Sequence, residues 1–229
     1  MNIDKREIFC IIPARKGSKR LKNKNILLYK RKPLISHSIE AAIKSNIFNK
    51  IIVSSDSPKI KKICKNYKQV IFVPRKASLA NSKATVSDVC IDILNSKIFE
   101  KKMKYFCVLY ATSPLRKPAD IRKCFKNLKL KNVDSIIAVT KYYFPPFQAL
   151  IKKNKFLKPF FKNLINIKSN KFENKIYVDN GSMYMARIKT FKKKKTFYTN
   201  KLAGYYMNQN KSIDIDYLSD YIRLIKNNL

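Results

Sequence analysis

The segment from Ile11 to Ile26 reads IIPARKGSKRLKNKNI and changes within a few residues from an apolar run to a dense array of cations. The apolar residues before Pro13 predict a buried strand, and the proline cannot continue a central ladder, so the chain leaves the sheet there as a loop. In open α/β sheets the ligand crevice lies at the carboxyl ends of the strands. This basic loop is therefore predicted to meet an anionic ligand at that edge.

The basic loop lacks both standard phosphate-binding motifs. It has a single glycine, without the GK[ST] ending of a P-loop or the GxGxxG of a dinucleotide fold, so side-chain cations rather than a backbone cradle would hold the anion. A solvated loop without a ligand is the alternative in so basic a chain. The cations of the loop are Arg15, Lys16, Lys19, Arg20, Lys22 and Lys24.

Composition predicts one substantial core and affinity for polyanions. The chain has 229 residues, 45% of them hydrophobic, which fits a single α/β domain with a small appendage. Its 51 Lys+Arg against 14 Asp+Glu give a formal charge of +37, which favours contact with nucleic acid, anionic membranes or nucleotides. The lysines are spread along the whole chain, so a general compositional bias explains them better than dedicated nucleic-acid binding.

Cysteine usage and hydropathy predict a soluble cytoplasmic protein. The cysteines at positions 10, 64, 90, 107 and 124 form no CxxC pair and lie in or beside apolar stretches, which favours buried free thiols over disulfides or a metal site. No apolar run approaches the roughly 18 residues that a bilayer crossing needs, and the first residues lead into a strand rather than a signal peptide.

Strands and helices alternate up to Thr140. This βαβ rhythm predicts an α/β fold with a mostly parallel sheet, right-handed crossovers and helices on both faces. The predicted strands after the first lie at 50–57, 70–73, 105–109 and 135–140, and the predicted helices lie at 34–45, 58–67 and 85–96.

The order of residues in the basic loop resembles the N-terminal signature of the acylneuraminate cytidylyltransferases, the CMP-sialic acid synthetases. Ala14-Arg15, Ser18-Lys19, Leu21 and Lys24-Asn25 stand in its register. The resemblance implies a Rossmann-like fold and a loop that wraps the triphosphate of CTP. The contacts that it carries over are Ala14, Arg15, Ser18, Lys19, Lys24 and Asn25.

A second string, Tyr110-Ala-Thr-Ser-Pro-Leu-Arg116, resembles the family's Gln-Pro-Thr-Ser-Pro-Leu-Arg. The resemblance places Tyr110, Thr112 and Ser113 at the nucleotide, and Arg75 matches another arginine near it. A tyrosine can stack on cytosine or form one hydrogen bond to it, but it lacks the paired donor and acceptor of the glutamine amide. The acid that the family usually has after Arg75 is missing until Asp88, and a plain helix start after Pro114 is the alternative for this string.

The rhythm breaks after Thr140, in a Lys- and Asn-rich stretch with scattered aromatic residues. In the family the equivalent insertion, here about 141–178, reaches into a partner subunit and closes its sugar site, so the resemblance implies a homodimer. Gln148 stands where some members have lysine. Asn180 and Gly181 resemble the family's Asn-Gly-[AS]-x-Tyr strand beside the sugar, although an ordinary turn before a strand explains them equally well.

Asp214 and Asp216 form the second most informative string, Ile-Asp-Ile-Asp. On an extended strand they share a face while Ile213 and Ile215 point into the core. Two close carboxylates suit Mg²⁺, which takes one or two carboxylates plus phosphate oxygens and water, and the family ends its catalytic domain in the same pattern. The alternative makes Asp216 the N-cap of a final helix at 217–226.

The resemblance as a whole implies a CTP-dependent cytidylyltransferase. The anomeric 2-hydroxyl of a nine-carbon α-keto-acid sugar would attack the α-phosphorus and release pyrophosphate, with Mg²⁺ as cofactor. Arg15, Lys24 and Asp216 would carry catalysis, by positioning and charge neutralisation. Two alternatives remain open: a synthetase for the eight-carbon sugar Kdo, and a non-catalytic polycationic relative that binds nucleic acid.

Overall fold

A computed structural model of the chain describes residues 4–172 and 176–226. Within these residues a seven-stranded sheet has the order β11-β7-β10-β6-β1-β4-β5, and two small hairpins, β2-β3 and β8-β9, lie outside it. The strands are β1 (Ile8–Pro13), β2 (Leu28–Tyr29), β3 (Lys32–Pro33), β4 (Ile51–Ser55), β5 (Val70–Pro74), β6 (Tyr105–Leu109), β7 (Ser135–Thr140), β8 (Leu150–Lys153), β9 (Phe156–Pro159), β10 (Val178–Arg187) and β11 (Leu202–Tyr206).

Helices cover both faces of the sheet. They are α1 (Leu34–Ser45), α2 (Pro58–Cys64), α3 (Ala77–Ala80), α4 (Val86–Leu94), α5 (Pro118–Leu130), α6 (Ile188–Lys194) and α7 (Leu218–Lys226). Among the described residues, no helix combines the length and the hydropathy that a bilayer crossing needs.

The sheet is mostly parallel, as predicted. β1 pairs in parallel with β4 and β6, while β10 runs antiparallel between β6 and β7. Every residue of β1, β4 and β6 is buried, because a parallel strand covered on both faces presents no wet side. Alternate residues of β1 enter opposite core layers: Cys10 packs in the layer of α1 and α5, and Ile11 packs in the layer of α4 and α6.

Two predicted helices are shorter in the structure. The helix predicted to reach about residue 67 ends at Cys64, and Ser57 caps its start by accepting a hydrogen bond from the Ile60 N–H. The helix predicted at 85–96 is Val86–Leu94. Its start is fixed by a capping box, in which Asp88 N–H donates to Thr85 Oγ1 and Thr85 N–H donates to Asp88 Oδ2.

The predicted insertion at about 141–178 contains the hairpin β8-β9, and its end overlaps the first residue of β10. Positions 173–175 of this insertion lie outside the described residues. The hairpin is exposed along most of its length, with Phe156 61% and Leu157 64% accessible. Its two strands bury little apolar surface within their own chain.

The extended strand predicted at 213–216 is wrong. The segment joins no ladder, because the N–H of Ile215 donates to the carbonyl oxygen of Thr112 in the loop after β6, at 3.1 Å. Ile213 and Ile215 are buried as predicted, and they pack with Leu34 and Leu224 in a small core cluster. This cluster fixes the acid pair beside the carboxyl edge of the sheet.

Candidate active site

A cavity of about 300 Å³ lies where β1 and β6 end. Pro13 closes β1, Tyr110 follows β6, and Arg75 follows β5, so the cavity occupies the edge where parallel strands present their carboxyl ends. We call it the nucleotide cavity. Its lining residues are Pro13, Arg15, Arg20, Lys24, Asn25, Arg75, Ala84, Thr85, Val86, Val89, Tyr110, Ala111 and Thr112.

Cations dominate the polar lining of the nucleotide cavity. Arg15 Nη1 donates to the Asn81 carbonyl at 3.0 Å, and Arg75 Nη2 donates to the Ser54 carbonyl at 2.9 Å. Burial lowers the pKa of Arg75. Because these side chains are tied to the backbone, their charges are directed at the cavity before a ligand arrives, as electrostatic binding of a polyphosphate requires.

Lys24, the lysine of the basic loop that lines the nucleotide cavity, is paired with Asp216. Lys24 Nζ lies 2.6 Å from Asp216 Oδ1, and Arg20 Nη2 lies 2.5 Å from Asp216 Oδ2. The start of α7 is capped differently, since the N–H groups of Asp216 and Tyr217 both donate to Asp220 Oδ2. The carboxylate of Asp216 is therefore directed at the basic loop and not at the helix.

A second cavity, of about 510 Å³, lies beside the first. It is formed where the segment after β7, the start of β10, the segment before α7 and α7 itself converge. We call it the acceptor cavity, because its lining includes Asn180 and Gly181, which the sequence resemblance predicts beside the acceptor sugar. Its lining residues are Thr140, Lys141, Tyr142, Tyr143, Val178, Asp179, Asn180, Gly181, Tyr184, Ser212, Ile213, Asp214, Asp220 and Arg223.

Thr112 and Asp214 join the two cavities. Thr112 lines the nucleotide cavity and Asp214 lines the acceptor cavity. Burial raises the pKa of the Asp214 carboxyl, and the hydrogen bond from Thr112 and the charge of Lys24 oppose that rise. Asp214 Oδ1 is buried and has no hydrogen-bond partner within the described residues. A buried carboxylate oxygen without a donor is costly unless a ligand satisfies it.

Gly181 makes room for Asp214. It has a φ of +63°, and a Cβ at this position would lie 2.6 Å from Asp214 Oδ2. Asn180 fixes the same bend: its Nδ2 donates to Ser212 Oγ at 2.9 Å, and its Oδ1 accepts from the Ser182 N–H at 3.1 Å. The two residues lie inside β10 at an irregularity of the ladder, and not in a turn before the strand. A glycine is needed here because the backbone and the carboxylate approach so closely.

A chain of hydroxyl groups reaches from one cavity toward the other. The ring of Tyr110 stands edge-on to Tyr184, with 5.4 Å between centroids. The hydroxyls of Tyr184 and Tyr198 donate to Asp179 Oδ2 at 2.7 and 2.6 Å. Tyr110 lines the nucleotide cavity, and burial raises the pKa of its phenol, which also hydrogen-bonds with Tyr184.

Arg116 holds the second signature against β10. It is 4% exposed, and its Nη1 donates to the Ser182 carbonyl at 2.5 Å and to Ser182 Oγ at 3.0 Å. Its Nη2 donates to Ser38 Oγ at 2.8 Å and reaches the Tyr110 carbonyl at 3.4 Å. Burial lowers the pKa of Arg116 to about 10. The guanidinium therefore connects the loop after β6 with the bend in β10 that accommodates Asp214.

Six of the residues predicted at the nucleotide line its cavity: Arg15, Lys24, Asn25, Arg75, Tyr110 and Thr112. Other predicted residues lie outside that lining. The N–H of Ala14 donates to the Ser54 carbonyl and its side chain is buried, while Ser113 Oγ donates to the Gly181 carbonyl. Ser18 and Lys19 lie between Arg15 and Arg20 but do not line the cavity themselves, and Lys19 is exposed.

Gln148 lines neither cavity of its own chain. It ends a short 3-10 turn, Pro146–Gln148, and is exposed. Its predicted contact with the sugar has no counterpart in the lining of the acceptor cavity. Asn180, Gly181 and Asp214 do line that cavity. Asp216 lines neither cavity and contacts the nucleotide cavity through its ion pair with Lys24.

Sequence reasoning missed the four charged residues Lys141, Asp179, Asp220 and Arg223 of the acceptor cavity. Asp220 carried a usable signal, because an acid in the first turn of a helix predicts a contact with free N–H groups. The other three come from segments that only the tertiary fold brings together. Arg20 was visible as a cation of the loop, although the family signature does not include it.

The cytidylyltransferase family profile matches residues 9–224. An N-acylneuraminate cytidylyltransferase of Streptococcus agalactiae is 32% identical over 223 residues, which cover 94% of this chain and 52% of that protein. This chain therefore spans about half the length of that relative. The CMP-N,N'-diacetyllegionaminic acid synthase of Legionella pneumophila is 34% identical over 91% of this chain and 90% of its own length.

A third relative, the pseudaminic acid cytidylyltransferase of Campylobacter jejuni, is 29% identical over 92% of this chain and 91% of its own length. Among solved structures, the CTP complex of CMP:2-keto-3-deoxy-manno-octonic acid synthetase superposes with a TM-score of 0.66 at 13% identity, covering 96% of this chain and 97% of that one. At that identity the likeness concerns the fold alone.

Proposed function

This chain belongs to the cytidylyltransferase family, and on that premise we propose that it transfers CMP from CTP to the 2-hydroxyl of a nine-carbon α-keto-acid sugar, releasing pyrophosphate. The observation that carries the proposal is the contact between Thr112 and Asp214, through which a cation-lined cavity adjoins a second cavity large enough for a sugar. CTP would occupy the nucleotide cavity and the sugar would occupy the acceptor cavity.

The proposed reaction needs positioning and charge neutralisation. The acceptor oxygen forms a bond to the α-phosphorus, the bond from that phosphorus to the bridging oxygen breaks, and the hydroxyl proton leaves to solvent. Arg15 and Lys24, with Arg20 and Arg75, would hold the triphosphate and stabilise the charge that moves onto pyrophosphate.

Asp214 and Asp216 fit the protein's share of a Mg²⁺ site. Asp214 Oδ1 is buried without a partner in the described part of the chain, and both carboxylates lie close enough to influence each other's charge. Two carboxylates, completed by phosphate oxygens and water, suit this ion. When bound there, Mg²⁺ would neutralise phosphate charge and acidify the attacking hydroxyl. Lys24 and Arg20, which now neutralise Asp216, would then turn toward the triphosphate.

We also propose a homodimer. The segment from Tyr142 to Phe161 exposes aromatic side chains that a monomer would leave in water, among them Phe144 at 82% and Phe160 at 58%. Exposed large apolar side chains gathered in one segment favour an interface. A closed pairing of two copies would cover this segment on both copies.

The five cysteines, all free and buried, support a reducing, cytoplasmic site of action.

The alternatives have weaker support. The eight-carbon Kdo synthetase shares the fold at 13% identity, whereas relatives named for neuraminate, legionaminic and pseudaminic acids are 29 to 34% identical. A non-catalytic nucleic-acid binder would leave the buried oxygen of Asp214 unexplained. Any binding of nucleic acid should be nonspecific and should weaken steeply with salt.

The test is a parallel assay of pyrophosphate release with CTP and Mg²⁺ in the presence of N-acetylneuraminic, legionaminic or pseudaminic acid, or Kdo. We expect release with at least one nine-carbon acid and none when UTP replaces CTP. Release with Kdo alone would establish the eight-carbon alternative. No release with any acid, together with salt-resistant and sequence-selective binding of DNA, would establish the non-enzyme alternative.

A further inference from the structure

The carboxylates of the acceptor cavity are largely satisfied by the chain itself. Asp179 accepts from the hydroxyls of Tyr184 and Tyr198 and from the Gly181 N–H at 3.0 Å. Asp220 accepts from the two N–H groups at the start of α7. Both acids therefore have internal donors, and neither needs a cation from a ligand.

The cations of the same cavity are not matched in this way. Lys141 and Arg223 both line it, and neither forms an ion pair with a described residue. Arg223 is held instead by Tyr143: its guanidinium carbon lies 5.0 Å from the ring centroid, and its Nη2 contacts the tyrosine hydroxyl. Lys141 and Arg223 are therefore cations of this cavity that no carboxylate of the described residues pairs with, while Asp214 is the acid of the cavity that keeps an unpartnered oxygen.

We propose that Arg223, oriented by Tyr143 and assisted by Lys141, binds the carboxylate of the acceptor sugar. This inference rests on the proposed function, because it names the subsite of the acid in the same cavity. An arginine presents paired N–H donors that match the two oxygens of a carboxylate, which a lysine cannot do.

Among the described residues, Lys141 and Arg223 are the only cations in the lining of the acceptor cavity. The stretch from 141 to 178 contains no arginine, and Gln148 is exposed outside the cavity. Arg223 reaches the cavity from α7, the helix that follows the acid pair, so a carboxylate bound there lies in the same chamber as Asp214.

Carboxylate binding at Arg223 would also orient the reacting group. In a 2-keto acid sugar the carboxylate carbon is bonded directly to the carbon that bears the attacking hydroxyl. Holding the carboxylate therefore limits where that oxygen can lie, and such positioning is a main source of rate in a two-substrate reaction. The cation also offsets repulsion between the acid and the triphosphate.

The test compares an acid acceptor with its methyl ester, in the full chain and in Arg223→Gln. The acceptor is whichever nine-carbon acid gives the fastest pyrophosphate release. Lys226→Gln removes the same charge from the same helix but outside the cavity lining, and it serves as the matched control. Lys141→Gln measures the assisting cation.

We expect Arg223→Gln to raise the KM for the acid about ten- to a hundredfold, as loss of a hydrogen bond to a charged group does. The KM for CTP should change less than about twofold. The unmodified protein should favour the acid over the ester by a similar factor, and Arg223→Gln should lose most of that preference, because the ester has no charge left to recognise. Lys226→Gln should behave as the unmodified protein, and Lys141→Gln should show a smaller effect in the same direction.

An Arg223→Gln protein that still prefers the acid as strongly as the unmodified chain would overturn the inference while leaving the proposed function intact. A parallel rise in the KM values for acid and ester would also overturn it, because that result indicates a general disturbance of the cavity. If the unmodified chain neither turns over nor binds N-acetylneuraminate by saturation-transfer NMR, the inference and the proposed function fail together.

Discussion

The nucleotide cavity and the acceptor cavity are built in different ways. The first stands on buried parallel strands, and its arginines and its lysine are tied to carbonyls or to Asp216. The second is assembled from four separate segments, and its cations Lys141 and Arg223 lie unpaired within the described residues. The difference indicates that the fold itself forms the nucleotide cavity, and our proposal is that a substrate and the surface of a second copy complete the acceptor cavity.

The largest effect is expected at the junction of the two cavities. Asp216→Asn removes the charge that we assign to Mg²⁺, and it also releases Lys24 and Arg20. Turnover should fall by about two orders of magnitude or more, the scale at which loss of one charge-stabilising group acts. The melting temperature should change little, since Asp220 rather than Asp216 caps α7.

Asp92→Asn provides the matched control for this change. Asp92 is paired with Lys76 at the surface, away from both cavities, so the same substitution there should leave turnover unchanged. An Asp216→Asn protein with near-normal Mg²⁺-dependent turnover would remove Asp216 from the catalytic group and leave Asp214 as its sole acid.

The next effect concerns Arg116, which joins the loop after β6 to β10 between the two cavities. Arg116→Met removes hydrogen bonds to Ser38, Ser182 and the Tyr110 carbonyl from a buried site. We expect the free energy of unfolding to fall by about 2 kcal/mol, because hydrogen bonds from a charged donor contribute about that much. Urea denaturation measures the loss. An unchanged midpoint would contradict this expectation, because it would show that the former partners of Arg116 satisfy their hydrogen bonds without the guanidinium.

A change in and just after the hairpin β8-β9 should affect the acceptor cavity without affecting the nucleotide cavity. Phe156→Ser with Phe160→Ser should weaken the proposed dimer, because both rings are exposed in the single chain. Light scattering should then report the 26.8 kDa monomer, whereas we expect twice that mass for the unmodified protein. The KM for the acid sugar should rise about tenfold while the affinity for CTP stays constant. A fully active monomer would contradict the idea that a second copy completes the acceptor site.

The smallest effect lies just before β1, at the edge of the sheet opposite the two cavities. Glu7 is 16% exposed and pairs with Lys104 and Lys129 at 2.7 and 2.9 Å, and these hydrogen bonds lower the pKa of its carboxyl. A lowered folded pKa stabilises the protein above the unfolded value and loses that stabilisation as the pH falls through the folded one. Glu7→Gln should therefore cost about 0.5 to 1 kcal/mol at pH 7.

The stability difference between Glu7→Gln and the unmodified protein should depend on pH. This difference should shrink as the pH falls from the unfolded pKa of 4.5 through the lower folded pKa, because below the folded pKa both side chains are neutral. Thermal unfolding at several pH values measures it. A difference that stays constant down to pH 3 would show that packing, and not charge, makes Glu7 useful. CTP and sugar KM values should be unchanged throughout.

The sequence predicts the nucleotide half far better than the acceptor half. The strands at 105–109 and 135–140 and the helix at 34–45 match their predicted bounds, because long apolar runs with clear ends identify buried elements. The string at 213–216 failed as a strand because its hydrogen-bond partner is a loop carbonyl, which no periodicity shows. Lys141 and Arg223 meet only in the folded chain, so no local pattern could pair them.

The most direct test of the account follows the phosphorus atoms. With CTP, Mg²⁺ and the preferred nine-carbon acid, ³¹P NMR should show the triphosphate signals giving way to one phosphodiester and pyrophosphate in equal amounts, and mass spectrometry should identify the phosphodiester as the CMP-sugar. Conversion of CTP to CDP and phosphate, or triphosphate signals that persist with every acid while the protein remains folded, would contradict a single transferase site formed by the two cavities.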